Sequence, residues 1–167
     1  ITEKAGDRSE ITAAIRDSFF ARHAETQRWK LAENTVLSLQ AYGLLAKDTA
    51  QPTPIALDLQ ENASAQTLYE RFARHILLHL RGIDFVDTLE AMRTSGEEVT
   101  LHSLRKRLEQ RGLYVPRGTV HLSSMRLWLA QAGVFDTTVS GGAKLYEVDH
   151  RRLRAILGVA LDQIDRL

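Results

Sequence analysis

The sequence predicts a mostly helical protein with two small β-ribbons, and two patterns support this fold class. Apolar residues recur at helical spacing through most of the segment 65–92. In addition, residues 39–45 and 129–135 share one order: an apolar residue, three further residues, a glycine and two apolar residues. Each stretch follows a helical segment and precedes β-like residues, 54–59 in one case and 144–148 in the other. Because glycine tolerates the left-handed conformation that ends many helices, this order indicates a helix that leads into a β-ribbon.

Length and composition narrow the class of protein. The 167 residues have room for one domain or two small ones, and the 44% of hydrophobic residues can form a packed core. The chain has no apolar run near the roughly 18 residues of a membrane span, no signal-peptide pattern and no initiator Met, so we interpret it as a fragment of a larger polypeptide. Cysteine is absent, which excludes disulfides, thiol catalysis and cysteine-bound zinc and favours a cytoplasmic location.

The first half should contain two helices followed by an extended segment. One helix begins near Ser9, and the other covers residues 30–42 and ends at Gly43. Pro52 and Pro54 argue against a further helix and favour an extended strand at an edge.

The middle of the chain should be a long helical segment in two parts. Ser64 can cap its start, and Gly82 should divide it. Val99 and Thr100 could form a one-residue strand, and Thr100 should also cap the next helix. The elements expected after this point are a helix over 101–111, a turn over 113–118, a helix over 119–132, strands over 134–139 and 143–148 with a glycine-rich tip, and a helix over 151–167.

Positive charge is concentrated in residues 101–126, although the net charge of the chain is only +1. Only Glu109 opposes the basic residues there, which are Arg105, Lys106, Arg107, Arg111, Arg117 and Arg126. Such a basic patch suits a polyanionic partner, and a solvated helix face is the alternative.

The strongest candidate binding residues lie in the helix predicted over 119–132. A buried stripe of Val120, Met125 or Leu122, Leu129 and Ala132 would leave a polar side facing solvent. That side carries Arg117, Thr119, His121, Ser123, Ser124 and Arg126. These residue types hydrogen-bond to phosphate oxygens or base edges, and the amino end of a helix favours a phosphate. The alternative is a surface helix that its short polar residues merely cap.

The corresponding candidates in the first half are Gln27, Arg28, Lys30, Asn34, Thr35 and Ser38. Asparagine can pair with adenine, and threonine can touch the methyl group of thymine. Packing or protein contact is an equally good interpretation of this helix. Lys144, beside the hairpin tip, could reach a phosphate or could protect a sheet edge from aggregation.

Other patterns are weaker. His75 and His79 share a helix face but lack a third metal ligand nearby. Ser103 and Lys106 fit Ser-x-x-Lys without the flanking motifs of serine acyl enzymes. We expect Trp29 and Trp128 to pack in the two core regions. No phosphate loop or dinucleotide fingerprint occurs, so we expect no active site, no metal and no cofactor.

Together these features resemble the winged helix-turn-helix DNA-binding superfamily, arranged as a tandem pair. The resemblance is carried by residues 31–45 with 54–59 and by residues 101–148. Residues 34–45 are also similar to recognition modules of restriction-type and phage-defence proteins. The resemblance implies reading helices near 34–38 and 119–126 and wings near Pro52 and 141–142. The first unit departs from it, because only the short polar segment 1–8 precedes its helix pair.

The resulting expectation is a first winged-helix-like unit over 1–62, a linking helix over 63–82, a second unit over 83–150 and a final helix over 151–167. The expected function is binding of double-stranded DNA, as the recognition or regulatory module of a larger protein in restriction, phage defence or transcriptional regulation. Other protein domains or subunits are further candidate partners, and no membrane contact is expected. The alternatives are a protein–protein adaptor and a non-catalytic fragment of an enzyme.

Overall fold

The computed structural model describes residues 7–61, 64–113, 120–140 and 143–158 and divides the chain into two compact units, Ile1–Ala63 and Ser64–Leu167. The described residues are mostly helical, as predicted, with eight helices and one two-stranded sheet. None of the described helices has the length and hydrophobicity needed to cross a bilayer.

The described part of the first unit, residues 7–61, contains three helices. They are α1 (Arg8–Phe19), α2 (Glu25–Ala41) and α3 (Pro54–Gln60). The side chain of Asp7 caps α1 by accepting a hydrogen bond from the backbone N–H of Ser9 at 3.1 Å. Apolar faces of α1 and α2 pack together in a core that also takes in the loop after α2; its buried members are Ile11, Ile15, Ala32, Val36, Leu45 and Ala50.

The end of α2 is fixed by hydrogen bonds across the following loop. Gly43 has a φ of 70°, the left-handed conformation predicted for it. The buried amide of Gln40 donates to the carbonyls of Ala46 and Lys47 at 3.3 and 3.1 Å. The hydroxyl of Thr53 donates to the Gly43 carbonyl at 2.6 Å. These bonds satisfy the buried amide of Gln40 and connect the loop to the end of α2.

The predicted extended segment of the first half is wrong. Residues 54–59 belong to helix α3, and Pro54 occupies its first turn, where the missing N–H of proline removes no helical hydrogen bond. The strand character that remains near the predicted wing is a single bridge between Leu45 and Pro52. The described part of the first unit therefore has no β-ribbon after its helix pair.

The second unit begins with the helices α4 (Ala65–His79) and α5 (Gly82–Thr94). Ser64 caps α4 by accepting from the N–H of Thr67 at 3.2 Å, which confirms the predicted cap. Gly82 separates the two helices, as predicted. A Cβ atom at Gly82 would lie 2.7 Å from the carbonyl oxygen of Ile76, so only glycine lets the end of α4 approach this closely.

Two more helices and a hairpin follow: α6 (Leu101–Gln110), α7 (Val120–Gln131), β1 (Phe135–Ser140) and β2 (Ala143–Val148). Val99 and Thr100 form no strand; instead Thr100 and Ser103 form a capping box at the start of α6. The strands are antiparallel, with a register that runs from Phe135 opposite Val148 to Ser140 opposite Ala143. The predicted hairpin is thus confirmed, and its tip at 141–142 lies outside the described residues.

The last described helix, α8 (His150–Leu157), is tied to two others through Arg152. The Nε of Arg152 donates to the carbonyl of Ala132, just after α7, at 2.9 Å, and its Nη2 pairs with the carboxylate of Glu70 on α4. Hydrogen bonds from Gln66 and Arg152 hold the pKa of Glu70 below its ordinary value. Helix α4, expected as a linker, therefore packs within the second unit against α7 and α8. The rest of the helix predicted up to residue 167 lies outside the described residues.

The two tryptophans differ in their surroundings. Trp128 packs against Phe72 and Tyr69, with ring centroids 5.3 and 6.3 Å apart, which agrees with the prediction. Trp29 is 39% exposed, and the guanidinium of Arg16 lies 5.2 Å from its ring centroid. The prediction of a core position for Trp29 is therefore wrong: the ring lies at the surface, where it makes a cation–π contact with Arg16.

Candidate nucleic-acid interface

The second unit brings α6, α7 and the hairpin together in sequence order. Helix α7 packs against α6 on one side and leads directly into β1. The N–H of Val134 donates to the carbonyl of Leu129 at 2.9 Å, and Gly133 between them has a φ of 80°. This left-handed turn sets the direction in which the hairpin leaves α7.

Helix α7 has a buried side and a partly exposed side. Its buried stripe contains Leu122, Met125, Leu129 and Ala132, which confirms the predicted stripe apart from Val120, whose side chain is not described. The predicted polar residues that are described are all half-buried: His121, Ser123, Ser124 and Arg126. Arg117 and Thr119 lie outside the described residues. The polar side of α7 is therefore neither buried in the interior nor fully open.

Two side chains modify the chemistry of this side of α7. Burial lowers the pKa of His121, so the fold favours a neutral imidazole at pH 7 that can donate or accept one hydrogen bond but adds no positive charge. Leu127 is exposed, an apolar side chain that could touch a thymine methyl group.

The basic residues of α6 differ in how they are held. Arg105 pairs with Glu109 at 2.9 Å, and Arg107 lies 3.5 Å from Glu97. Lys106 is exposed and has no ion pair or hydrogen bond among the described residues. Since exposed ion pairs contribute only about 0–1 kcal/mol, a phosphate could replace the carboxylates as partner of the two arginines.

Arg111 belongs to the basic patch predicted from the sequence, but in the structure its side chain makes a contact within the fold. Its Nη1 donates to the hydroxyl of Thr88 on α5 at 2.5 Å, and that hydroxyl in turn donates to the carbonyl of Asp84 at 2.6 Å. Thr88 is almost fully buried. The guanidinium thus completes the hydrogen bonding of a buried hydroxyl and joins α5 to the end of α6.

Lys144 lies in β2 opposite Val139, beside the hairpin tip as predicted. Its side chain lies outside what the structure describes. An ion pair joins the hairpin to α5: Arg93, at the end of α5, lies 2.8 Å from Glu147 on β2.

Three of the six predicted polar residues of the first unit make local hydrogen bonds. The Nε of Arg28 donates to the carbonyl of His23 at 2.7 Å. The hydroxyls of Thr35 and Ser38 each donate to a carbonyl four residues earlier in α2 at 2.9 Å. Lys30 and Asn34 are exposed, and their side chains have no partner within the described part of the chain. This helix therefore presents fewer available groups than the sequence indicated.

His75 and His79 lie one turn apart on α4. The rings of His75 and His79 lie 5.4 Å apart, and the described residues contain no group of three metal-ligating side chains.

The sequence analysis missed basic residues outside 101–126. Arg71 and Arg74 on α4 and Arg151 and Arg154 on α8 are exposed. The sequence does indicate part of this basic surface, because residues 150–154 include a histidine and three arginines and no acidic residue. It does not indicate that α4 and α8 pack against each other.

Comparison of the chain with protein-family models, curated proteins and solved structures finds no match.

Proposed function

We propose that the chain binds double-stranded DNA through its second unit, with α7 in the major groove and the β1–β2 hairpin beside it as a wing. The observation that carries the proposal is the order of three helices, α5, α6 and α7, followed directly by an antiparallel hairpin. A winged helix-turn-helix has this order, and its last helix has the width that the major groove admits.

The polar side of α7 supports this role. Ser123, Ser124 and Arg126 keep part of their surface exposed while the opposite stripe is buried. Hydroxyls adapt to several base edges, and arginine is the preferred partner of guanine. These residues would supply sequence preference, together with the candidates Arg117 and Thr119, which lie outside the described residues.

The cations of α6 would supply the part of the affinity that does not depend on sequence. Lys106 needs no rearrangement to meet a phosphate, and Arg105 and Arg107 need to exchange only exposed carboxylate partners. Lys144, at the wing, would add a further phosphate contact. Phosphate contacts of this kind position a protein on the duplex.

As a biological setting, we propose a non-catalytic recognition or regulatory module of a larger cytoplasmic protein, in restriction, phage defence or transcriptional regulation. The resemblance of residues 34–45 to modules of restriction-type and phage-defence proteins supports this setting.

The test is a fluorescence anisotropy titration of the chain with a duplex selected from a randomised pool and with a scrambled duplex of equal length, at several salt concentrations. Lys106→Ala should weaken both complexes equally and lower the slope of log K against log salt by about one. Ser124→Ala should instead reduce the preference for the selected duplex, by about 1 kcal/mol.

The matched control is Lys47→Ala, which removes an exposed lysine in the first unit that is not part of the proposed interface. It should leave both complexes unchanged. The assignment fails if Lys106→Ala and Ser124→Ala both behave like this control.

A second candidate function, a protein–protein adaptor, is favoured by one observation on the first unit. Trp29 and Leu37 on α2 and Phe19 at the end of α1 are large apolar side chains that remain exposed. Where exposed apolar side chains form a contiguous patch, they mark a protein–protein contact surface. An adaptor without DNA binding should leave a heparin column at low salt and show no salt-dependent affinity for a duplex.

A further inference from the structure

Helix α8 carries an unusual density of positive charge. Three of its eight residues are arginines and none is acidic. Arg152 is used inside the fold, where it holds Ala132 and Glu70. Arg151 and Arg154 are exposed. Being three residues apart, they lie on the same side of the helix.

Helix α4 adds a third arginine near the end of α8. The position that a Cβ atom on Gly158 would take lies 3.6 Å from Nη1 of Arg74. Gly158 is the C-cap of α8 and follows Arg154 by four residues, so the guanidinium of Arg74 lies close to the C-terminal end of α8. Arg71, one turn before Arg74 on α4, is also exposed. We call the surface made by Arg74, Arg151 and Arg154 the α4–α8 face.

The positive charge of the α4–α8 face is not neutralised within the described residues. Arg74 and Arg151 have no hydrogen bond or ion pair there. Arg154 donates only to the carbonyl of His150, at 3.2 Å, a bond that leaves its charge uncompensated. Of the neighbouring carboxylates, Glu70 pairs with Arg152, and Glu90 on α5 lies 2.7 Å from Nε2 of His150. Asp149 caps α8 and keeps its negative charge, so three arginines face one carboxylate and the net charge of the face is positive.

The three guanidinium groups carry like charge and repel one another, and a partner that supplies negative charge offsets this repulsion. The guanidinium group binds phosphate through two parallel hydrogen bonds, which lysine cannot do. The described part of α8 exposes no large apolar side chain of the kind that a membrane-bound helix inserts into lipid. These properties fit the regular phosphates of a nucleic acid backbone.

We propose that the α4–α8 face binds the phosphate backbone of a DNA duplex and is a second contact surface, separate from α6 and α7. The inference rests on the proposed function. It adds that part of the affinity comes from arginines on two helices outside the helix-turn-helix. Because phosphate contacts carry no sequence information, this face would strengthen the binding of every duplex equally.

The experiment compares the unaltered chain with the double variant Arg151→Ala/Arg154→Ala in the same anisotropy titration across salt concentrations. Two phosphate contacts should be lost, so the slope of log K against log salt should fall by about two, with equal weakening on the selected and scrambled duplexes. The double variant Arg22→Ala/Lys47→Ala removes the same charge from exposed positions of the first unit and should leave the slope unchanged.

Two further variants separate a charge effect from damage to the fold. Arg151→Lys/Arg154→Lys keeps both charges and should retain most of the slope, although lysine loses the paired hydrogen bonds. Arg151→Gln/Arg154→Gln also removes both charges but keeps longer side chains. It should lower the salt slope as much as the alanine pair does, even if the alanine variant melts at a lower temperature.

The outcomes distinguish this inference from the proposed function. If the unaltered chain binds duplexes and responds to Lys106→Ala, but neither neutralised pair changes the salt slope, the α4–α8 face does not bind DNA and only this inference fails. If the unaltered chain binds no duplex at all, both fail. Binding of an acidic protein by this face would also appear as an unchanged slope, and would overturn the inference.

Discussion

Arg152 on α8 donates its Nε–H to the carbonyl of Ala132, which directly follows α7, at a distance of 2.9 Å. The C-terminal carbonyls of a helix have no partner within the helix and carry partial negative charge, so a guanidinium is well suited to bind one. The same side chain pairs with Glu70 on α4. One residue of α8 therefore connects α7, the proposed reading helix, to α4.

We expect Arg152→Ala to lower the free energy of unfolding by about 1–3 kcal/mol, because it removes a charged donor from a partly buried carbonyl and the partner from Glu70. Urea unfolding followed by circular dichroism measures the change. Arg151→Ala, an exposed neighbour without a partner in the described structure, should stay within about 0.5 kcal/mol of the unaltered chain. Equal effects of the two substitutions would contradict the role given to Arg152.

Arg111 tests whether a basic residue of the 101–126 segment acts in the fold rather than at the interface. Arg111→Ala leaves the buried hydroxyl of Thr88 without its donor, and we expect a loss of about 1–2 kcal/mol in unfolding free energy. The salt slope of duplex binding should change little at temperatures where the variant is folded. Lys106→Ala should give the reverse result, with an altered slope and unaltered stability.

Gly82 is required by the close approach of two helices. In Gly82→Ala the new Cβ would lie 2.7 Å from the Ile76 carbonyl oxygen and 2.8 Å from the Leu77 Cα, both backbone atoms that cannot turn away. We expect a loss of about 1–3 kcal/mol in thermal or urea unfolding. Gly96→Ala is the comparison, since a Cβ there meets open space and only the left-handed backbone is strained, at about 1 kcal/mol. A larger loss in Gly96→Ala would rule out the steric explanation.

His121 should make stability depend on pH. Burial lowers its pKa in the folded state, so the unfolded chain binds a proton more readily. The contribution of neutral His121 to the free energy of unfolding is fully present above the ordinary histidine pKa of 6.5. It is lost as the pH falls from 6.5 through the lower pKa of the folded state. Relative to His121→Gln, the unaltered chain should therefore lose urea stability between pH 7 and pH 5. Parallel curves for the two proteins would disprove a buried neutral imidazole.

Much of the second unit could be predicted from sequence because its signals are local. Gly82 and Gly133 mark helix ends that need a close approach or a positive φ, and Thr100 and Ser64 mark helix starts by capping. The hairpin was predicted within one residue at its start, since two β-prone runs flank a glycine-rich tip.

The first unit was harder to predict because two of its signals are ambiguous. A short apolar run after a proline suits either an edge strand or the first turns of a helix, and in the structure it forms the helix α3, with Leu59 buried. Helix α2 begins at Glu25, earlier than predicted. This start could not be predicted from the sequence, because Ala24 has no side-chain group that could cap the helix. The sequence correctly predicted that Lys106 and Ser124 lie on helices and keep part of their surface exposed. It could not show that Arg111 reaches Thr88 or that Arg74 reaches the end of α8. Both are tertiary contacts between helices.

The placement of the two tryptophans supplies an optical readout of each unit without any label. Trp29 is the sole indole of the first unit and is already open to water, whereas Trp128, the sole indole of the second, packs against aromatic rings. Emission from Trp128 should shift to longer wavelength when its unit melts, and quenching of Trp29 by iodide should follow access to α2. With Trp29→Phe and Trp128→Phe, the melting of either half can be followed separately in the intact chain, with and without a duplex.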